Sequence, residues 1–513
     1  MRFAPGFSVR TFATLSLSIA ALADGQSGAQ ELSRLIDQEI QARLDAAGLP
    51  ASSVADDAEF LRRVYLDLLG VMPPADRVAA HLESSDHQKR PDLINDLLND
   101  PKYGRHMANI WGPMLILEKT FVRPPKPLFF DWLAKQFNQN RPWDELVFEL
   151  LTATGESAQQ NPAIGFLASE LRTIPPDLAT NLITTRFLGV NIECAQCHEH
   201  PFASWTKDDY WGVANFFTRV KRTKTAGVKS RYQGLMHTAK LNRVSTRAPE
   251  VAPKFLGGVA PTLDDGVDPR FVFAEWATDA KNPFFARAKV NRMWAQFFGR
   301  GLVNPVDDMV ESRKPTHPRL LERLTEEFVR SGFDVHFLVR AICNSRTYQR
   351  TSKVTKGNED DREFYSRMPV KMLTPEQLWN CYEALGLELT EIRNPNLHAD
   401  LTLENFRTLL LNGDEEPSAL EYKHGATHAL FFMNHVHLAS RQKVLVRQLA
   451  TSARTPAEMI DRLYLTVLSR YPTTQQRETL TEFLQSKSES SSEDTYGDIL
   501  WALLHSSEFT VNH

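Results

Sequence analysis

The stretch ELSRLIDQEIQARLDAA, residues 31–47, carries the pattern that decides the fold class. Its apolar residues recur at i, i+3 and i+4 spacing, which places them on one side of an α-helix. Charged and amide side chains occupy the opposite side. The segment therefore predicts an amphipathic helix that buries one apolar stripe, formed by Leu32, Leu35, Ile36, Ile40 and Leu44.

Similar helical patterns recur along most of the chain. In DAEFLRRVYLDLLGVMPP, residues 57–74, the apolar spacing continues to Leu68, and Gly70 with Pro73 and Pro74 predicts the end of the helix. Alternating strand patterns are scarce, so the sequence predicts a mainly α fold. Further helices are predicted over Pro142–Thr154, Pro175–Leu188, Pro283–Phe298, His317–Arg330, Thr374–Leu385 and Thr455–Leu468.

The composition is that of a globular protein with a large core. The chain has 513 residues, of which 42% are hydrophobic and 24% charged, and this length predicts two to four domains. Four cysteines are too few for a disulfide-stapled scaffold, and 24 Gly with 29 Pro exclude a collagen-like chain. The net charge of −4 gives no reason to expect a nucleic-acid partner.

The N-terminus has the features of a secretory signal peptide. Arg2 and Arg10 precede a short apolar run from Phe12 to Leu22, which ends in the Ala-Leu-Ala sequence at Ala23. We therefore expect residues 1–23 to be removed on export to the periplasm or the extracellular space. No later segment is apolar over the length of a spanning helix, so the mature chain is predicted to lack a transmembrane helix.

A change in composition indicates a connector between two helical domains. The stretch from Arg219 to Lys254 contains ten Lys or Arg and only Glu250 as an acid, and it shows no helical stripe. We interpret residues 219–266 as an irregular basic segment with a few short strands. This interpretation divides the mature chain into a first helical domain over residues 24–218 and a second over residues 267–513.

The motif with the most specific chemistry is Cys194-Ala-Gln-Cys197-His198. Two thiols at this spacing are typical of covalent attachment to the vinyl groups of haem, and the histidine that follows is typical of an axial iron ligand. Export supports this interpretation, because haem is attached covalently outside the cytoplasm. The sequence thus predicts one haem c per chain. Downstream, Thr206-Lys-Asp-Asp209 predicts a capping box that opens a helix.

Other chemistries fit the same residues. Cys194 and Cys197 could close a small disulfide in an exported protein, or they could bind zinc together with His198 and His200. A thioredoxin-type site is disfavoured, because no βαβ pattern surrounds the motif. The two remaining thiols, Cys343 and Cys381, lie on apolar helix faces and are predicted to be buried in the core.

The sequence does not determine the sixth iron ligand. Met236 and His237 in the basic segment are the candidates, and Met107, Met293 and Met309 would require proximity that spacing does not show. An open sixth position would favour small-molecule chemistry, whereas Met or His there would favour electron transfer. The first basic residues of the segment 219–266 are either solvated surface or contacts for haem propionates, an acidic redox partner or an anionic, sulfated glycan: Arg219, Lys221, Arg222 and Lys224.

Longer runs around these motifs resemble a known pair of domains. FLGVNIECAQCHEHPF, residues 187–202, and the segment 57–74 resemble the planctomycete cytochrome-type domain of unknown function. The second half resembles its usual companion domain of unknown function. The matching runs are NPFFARAKVNRMW (282–294), GRGLVNPVDD (299–308), NSRTY (344–348) and the closing SEFTVNH (507–513).

The resemblance implies an exported protein without an established activity. It supports Cys194, Cys197 and His198 as haem residues and assigns no role to the Asn291-Arg292 or Asp307-Asp308 pairs, for which buried ion pairs and capping are the simplest explanation. Genes of such proteins often lie beside one for a secreted sulfatase-like protein, which suggests a role in polysaccharide breakdown. Three hypotheses stay open: electron transfer, a haem-dependent oxidase acting on glycans, and a non-redox binding or scaffold protein.

Overall fold

The computed structural model describes residues 18–116, 126–170, 175–218, 220–223, 234–237, 251–264, 266–387, 389, 393–394, 399–400, 402–410, 436–487 and 491–513. Structural statements below concern these residues. Of the predicted signal peptide, residues 1–17 lie outside them. Residues 18–23 form the beginning of the first helix.

Helices dominate the described part of the chain, so the predicted mainly α fold is confirmed. In chain order the helices are α1 Ser18–Ala47, α2 Asp57–Leu69, α3 Ala75–Glu83, α4 Lys89–Leu98, α5 Pro101–Leu115, α6 Lys126–Asn138, α7 Trp143–Thr152, α8 Ile164–Glu170, α9 Pro175–Arg186, α10 Lys207–Ala214, α11 Pro269–Thr278, α12 Phe285–Phe298, α13 Pro318–Arg330, α14 Val335–Asn344, α15 Pro375–Ala384, α16 Leu403–Leu410, α17 Val436–Ala450, α18 Pro456–Leu468, α19 Thr474–Ser486 and α20 Ser492–Leu504.

The strands are short and form two-stranded antiparallel sheets. In the predicted basic connector, β1 (Val220–Thr223) pairs with β2 (Gly234–His237). Elsewhere β3 (Lys371–Met372) pairs with β6 (Val511–Asn512), and β4 (Arg393–Asn394) pairs with β5 (Ala399–Asp400). No helix among the described residues is both long enough and apolar enough to cross a membrane.

The helix ends follow from local sequence. In α2 the Asp56 side chain accepts a hydrogen bond from the backbone N–H of Glu59, and Gly70 closes the helix in the left-handed conformation at φ 65°. The sequence Arg-x-Tyr-Leu of residues 63–66 in α2 is repeated at residues 462–465 in α18, and α18 also ends on a left-handed residue, Ser469 at φ 58°. Both ends precede a proline, which explains the repeated sequence pattern as a repeated helix end.

Buried apolar side chains form two cores. The larger core draws mainly on the segment Ala29–Met368, and the smaller core draws on the segment from Leu373 to Phe509, with α2 contributing to both. The larger core therefore takes residues from both sides of the predicted boundary at residue 267. The domain boundaries themselves stay a prediction.

Buried polar residues of α2 fix the end of the chain against the larger core. Arg62 is 1% exposed and donates to the backbone carbonyl of Phe509 at 2.9 Å. One turn further on, Asp67 accepts hydrogen bonds from Lys371 and Asn512, each at 2.7 Å. A buried cation and a buried carboxylate are stable only when they are paired in this way. These contacts hold the two cores together.

Candidate functional site

The Cys-x-x-Cys-His motif forms a single tight turn at the surface. A 3₁₀ helix spans Glu193–Gln196, and the backbone N–H groups of Cys197 and His198 both lie 3.4 Å from the carbonyl oxygen of Cys194. Residues three apart in such a turn share one side. The two cysteines are exposed and free, so both thiols are accessible from solvent.

The imidazole of His198 is oriented by its neighbour in the chain. Its Nδ1 lies 2.8 Å from the carbonyl oxygen of Glu199, and the side chain is exposed. Because a carbonyl oxygen only accepts hydrogen bonds, Nδ1 is the nitrogen that carries the proton. In the neutral imidazole the lone pair is then on Nε2, so this nitrogen is the one open to a metal ion.

Buried groups beneath the turn hold it in place. The side chain of Ala195 is fully buried, and its N–H donates to the carbonyl of Ile192 at 2.9 Å. From α10, the indole Nε1 of Trp211 donates to the carbonyl of Gln196 at 3.1 Å. The turn is thus fixed to the larger core from its inner side while the thiols stay outside.

The helix that supports the turn begins at the predicted capping box, which the structure confirms. The Thr206 hydroxyl accepts from the N–H of Asp209 at 3.2 Å, and the Asp209 carboxylate accepts from the N–H of Thr206 at 2.9 Å. The same carboxylate binds the ammonium of Lys254 at 2.8 Å. Burial raises the pKa of Asp209, but the bonds from Lys254 and Thr206 outweigh burial and lower that pKa below its ordinary value.

Two exposed apolar side chains lie on the loop that follows the turn and on a second loop that contacts it. Phe202 is 79% exposed and Val259 is 75% exposed. Their loops are in contact, because a Cβ added at Gly257 would lie 3.5 Å from the ring of Trp205. A further hydrogen bond, from the N–H of His200 to the carbonyl of Trp205 at 2.9 Å, ties the first loop together. The loop that follows the thiols in the chain therefore exposes an apolar side chain, Phe202.

The other cysteines and histidine considered as ligands do not form a metal site with the Cys194 and Cys197 thiols among the described residues. His200 does not join the thiols in a metal site: no group of three or more His, Cys, Asp or Glu side chains among the described residues could hold a metal ion. Cys343 and Cys381 are fully buried, as predicted. Burial raises the pKa of Cys381 to about 11 and raises that of Cys343 well above its ordinary value, so both are inert core thiols.

No contact among the described residues joins His198 to a candidate for the sixth iron ligand. Met236 and His237 lie in β2, where they pair with Lys221 and Val220, and their side chains lie outside the described residues. Both Met107 and Met293 are fully buried in the larger core. Met309 packs at the loop before the motif, with its Cε 2.5 Å from where a Cβ at Gly189 would lie. Among the predicted contacts for an anion, Arg219 and Lys224 lie outside the described residues, and Lys221 and Arg222 are described in backbone only.

Sequence reasoning missed a row of buried cations on α12. Lys289 and Arg292 are three residues apart and are 2% and 6% exposed. Arg292 forms an ion pair with Asp307, which also binds Arg186 of α9. A buried ion pair was the simplest explanation for Arg292 and Asp307, and the structure confirms it. The burial of Lys289 could have been suspected from its place among apolar residues in FARAKVNRMW, residues 285–294.

Fold and site together define the class: a mainly α protein that presents a Cys-x-x-Cys-His turn on its surface. The sequence model of PSCyt2, Protein of unknown function (DUF1549), matches residues 35–222. That of PSD1, Protein of unknown function (DUF1553), matches residues 269–417. The chain belongs to the proteins that carry these two domains in this order, which confirms the resemblance seen in the sequence. No curated protein and no solved structure matches the chain.

Proposed function

We propose that the protein carries one covalently attached c-type haem at Cys194, Cys197 and His198 and acts in electron transfer. The observation that carries this proposal is the exposure of the motif together with the contact of His198 Nδ1 with the Glu199 carbonyl: two free thiols on one turn are followed by an imidazole whose Nε2 is left open. Structural zinc sites also use Cys and His, but they need four protein ligands, and no such group is found among the described residues. Two thiols and one adjacent imidazole at this spacing match the donor set of c-type attachment.

Each residue of the motif has a distinct task in this function. Cys194 and Cys197 supply the thiols that form the two thioether bonds, and their exposure leaves them open to the attachment machinery. His198 supplies Nε2 as the axial ligand, while the carbonyl of Glu199 keeps the proton on Nδ1. Haem, when bound, supplies a one-electron redox couple. Trp211 keeps the backbone of the turn rigid through its bond to Gln196.

The surroundings of the motif favour exchange with a partner over a closed reaction site. The thiols are exposed, and the loop that follows them exposes the apolar side chain of Phe202. We propose a redox partner that docks at this surface, in the periplasm or outside the cell. A supporting role in polysaccharide breakdown, with an anionic glycan or a secreted sulfatase-like protein as the associated component, extends the proposal.

The test is the visible spectrum of the protein exported from a host that matures c-type cytochromes. We expect a Soret band that stays with the chain after denaturation and is lost when Cys194 and Cys197 are both replaced by Ser. Cys343→Ala is the matched thiol control and keeps the band. His198→Ala keeps the covalent attachment but changes the spectrum, since it removes only the axial ligand. A colourless wild-type protein would refute the proposal.

A second candidate function is a non-redox binding or scaffold protein in which the two thiols form a disulfide. It is favoured by the spacing of the thiols, which lie three residues apart on one exposed turn. Mass spectrometry after alkylation separates the two candidates. The disulfide candidate predicts that Cys194 and Cys197 are protected from alkylation until they are reduced, with no added mass on the chain.

A further inference from the structure

A lysine is buried in the larger core without a hydrogen-bond acceptor. Lys289 lies in the middle of α12 and is 2% exposed. Its Nζ lies 3.8 Å from the ring centroid of Trp111 and 3.7 Å from that of Trp143. Among the described residues, no atom accepts a hydrogen bond from this amine. A buried ammonium group without a carboxylate is rare in folded proteins, because its desolvation is costly.

Further cations lie next to this lysine. Arg292 is one turn along α12, and its Cζ lies 5.8 Å from the centroid of the same Trp111 ring. It shares the carboxylate of Asp307 with Arg186. The cluster formed by Lys289, Arg292, Arg186 and Asp307 therefore contains three cationic side chains and one carboxylate. The Asp307 carboxylate pairs with the two arginines, so no carboxylate is left to pair with Lys289.

This cluster has more hydrogen-bond donors than acceptor oxygens. An ammonium group has three N–H donors, and indole faces attract the charge but provide no oxygen acceptor. The indole Nε1 of Trp111 and the Nε of Arg186 are also buried without a partner. Burial lowers the pKa of Lys289 well below its ordinary value, and the nearby Arg292 lowers it further. The unpaired donors reflect too few acceptor oxygens, whereas the lowered pKa reflects burial first and the neighbouring positive charge second.

We propose that Lys289, Arg292 and Arg186 form a binding site for a small oxyanion, with Lys289 as its innermost contact. Negatively charged oxygens would satisfy the unpaired donors and balance the surplus charge. The side chains of Arg186 and Asp307 are 26% and 27% exposed, so this end of the cluster faces solvent. The site is independent of the proposed haem, because none of its residues belongs to the Cys-x-x-Cys-His turn.

Isothermal titration of the whole protein with inorganic phosphate tests the proposal. Sulfate and acetate are titrated in parallel at constant ionic strength, with chloride as the blank. We expect one phosphate per chain, and a loss of affinity of roughly ten- to 100-fold in Lys289→Met, as for one charge-assisted hydrogen bond. Methionine has a similar volume and is accepted in cores. The matched control is Lys443→Met, since Lys443 is an exposed lysine paired with Asp494.

Each outcome of the titration has a distinct meaning for the site. Tighter binding of phosphate and sulfate assigns a dianion to the site, and tighter binding of acetate assigns a carboxylate. Equal heats for all three anions and chloride, or unchanged phosphate affinity in Lys289→Met, would overturn the proposal. If Lys289→Met does not fold, Arg186→Gln at the solvent-facing end replaces it, with the same expected loss and the same contradictory result.

Discussion

Replacing Asp209 by Ala tests whether the capping box of α10 supports the Cys-x-x-Cys-His turn. The change removes the carboxylate bond to the Thr206 N–H at 2.9 Å and the ion pair with Lys254 at 2.8 Å. It also removes a negative charge from the first turn of the helix. Since Trp211 of the same helix bonds the carbonyl of Gln196, loosening α10 also loosens the motif.

The magnitude follows from the separate contacts. The backbone bond is worth about 1 kcal/mol, and the partly exposed ion pair adds about 1 kcal/mol after solvent screening. The interaction of the charge with the helix dipole adds about 0.5 kcal/mol. We therefore expect Asp209→Ala to destabilise α10 by roughly 2–3 kcal/mol, and Thr206→Ala, which removes one cap bond, to cost about 1 kcal/mol.

Hydrogen exchange followed by mass spectrometry measures the stability of α10 separately from that of the rest of the chain. An opening free energy lowered by 2–3 kcal/mol raises the exchange rate of α10 amides by roughly 30- to 150-fold. Peptides from α18, in the other core, serve as the internal reference. Asp208→Ala is the matched control, because Asp208 is exposed in the same turn and makes no capping bond. Unchanged exchange in Asp209→Ala, or an equal effect of Asp208→Ala, would refute the reasoning.

The same carboxylate gives this helix a dependence on pH. Because the folded pKa of Asp209 is lowered, its contribution is complete above the ordinary value of 3.8 and is lost as the pH falls below that value. Exchange of α10 in the wild type should therefore accelerate in this acid range more steeply than in Asp209→Asn.

The remaining predictions concern the loop before the motif and the clamp on α2. Gly189→Ala should lower the free energy of unfolding by about 2–4 kcal/mol, because it combines left-handed strain with a new Cβ 3.1 Å from that of Ala288 and a displaced Met309 side chain. Gly48→Ala has the same φ of 65° and open space, so it should cost about 1 kcal/mol. Urea unfolding measures both changes. Burial raises the pKa of Glu59, but Arg63 and other partners outweigh burial and lower that pKa overall. The free energy of unfolding should therefore fall as the pH drops below 4.5. Urea unfolding at a series of pH values should show a flatter dependence in Glu59→Gln. An equally steep pH dependence in Glu59→Gln would contradict this assignment.

Local sequence was sufficient for helices such as α2 and α10 and for the motif. The apolar spacing and Gly70 define α2, and the Thr206–Asp209 pattern defines the start of α10, because capping depends on residues three positions apart. The Cys-x-x-Cys-His turn is local for the same reason. Such features need no knowledge of which helices pack together.

Contacts between distant segments could not be predicted in this way. The bond from Asn512 to Asp67 joins residues that are 445 positions apart, and no spacing rule connects them. Lys289 presents the same difficulty. Its burial depends on Trp111 and Trp143, which belong to other helices, so the sequence of α12 alone shows only a lysine among apolar residues. The extension of the larger core across residue 267 also depends on packing between helices.

The central proposal is tested most directly by the intact mass of the exported protein under denaturing conditions. Covalent attachment through Cys194 and Cys197 predicts the mass of the chain without its signal peptide plus one haem, with a single added group per molecule. A chain without added mass, produced in a host that attaches haem to other c-type cytochromes, would contradict the proposed function.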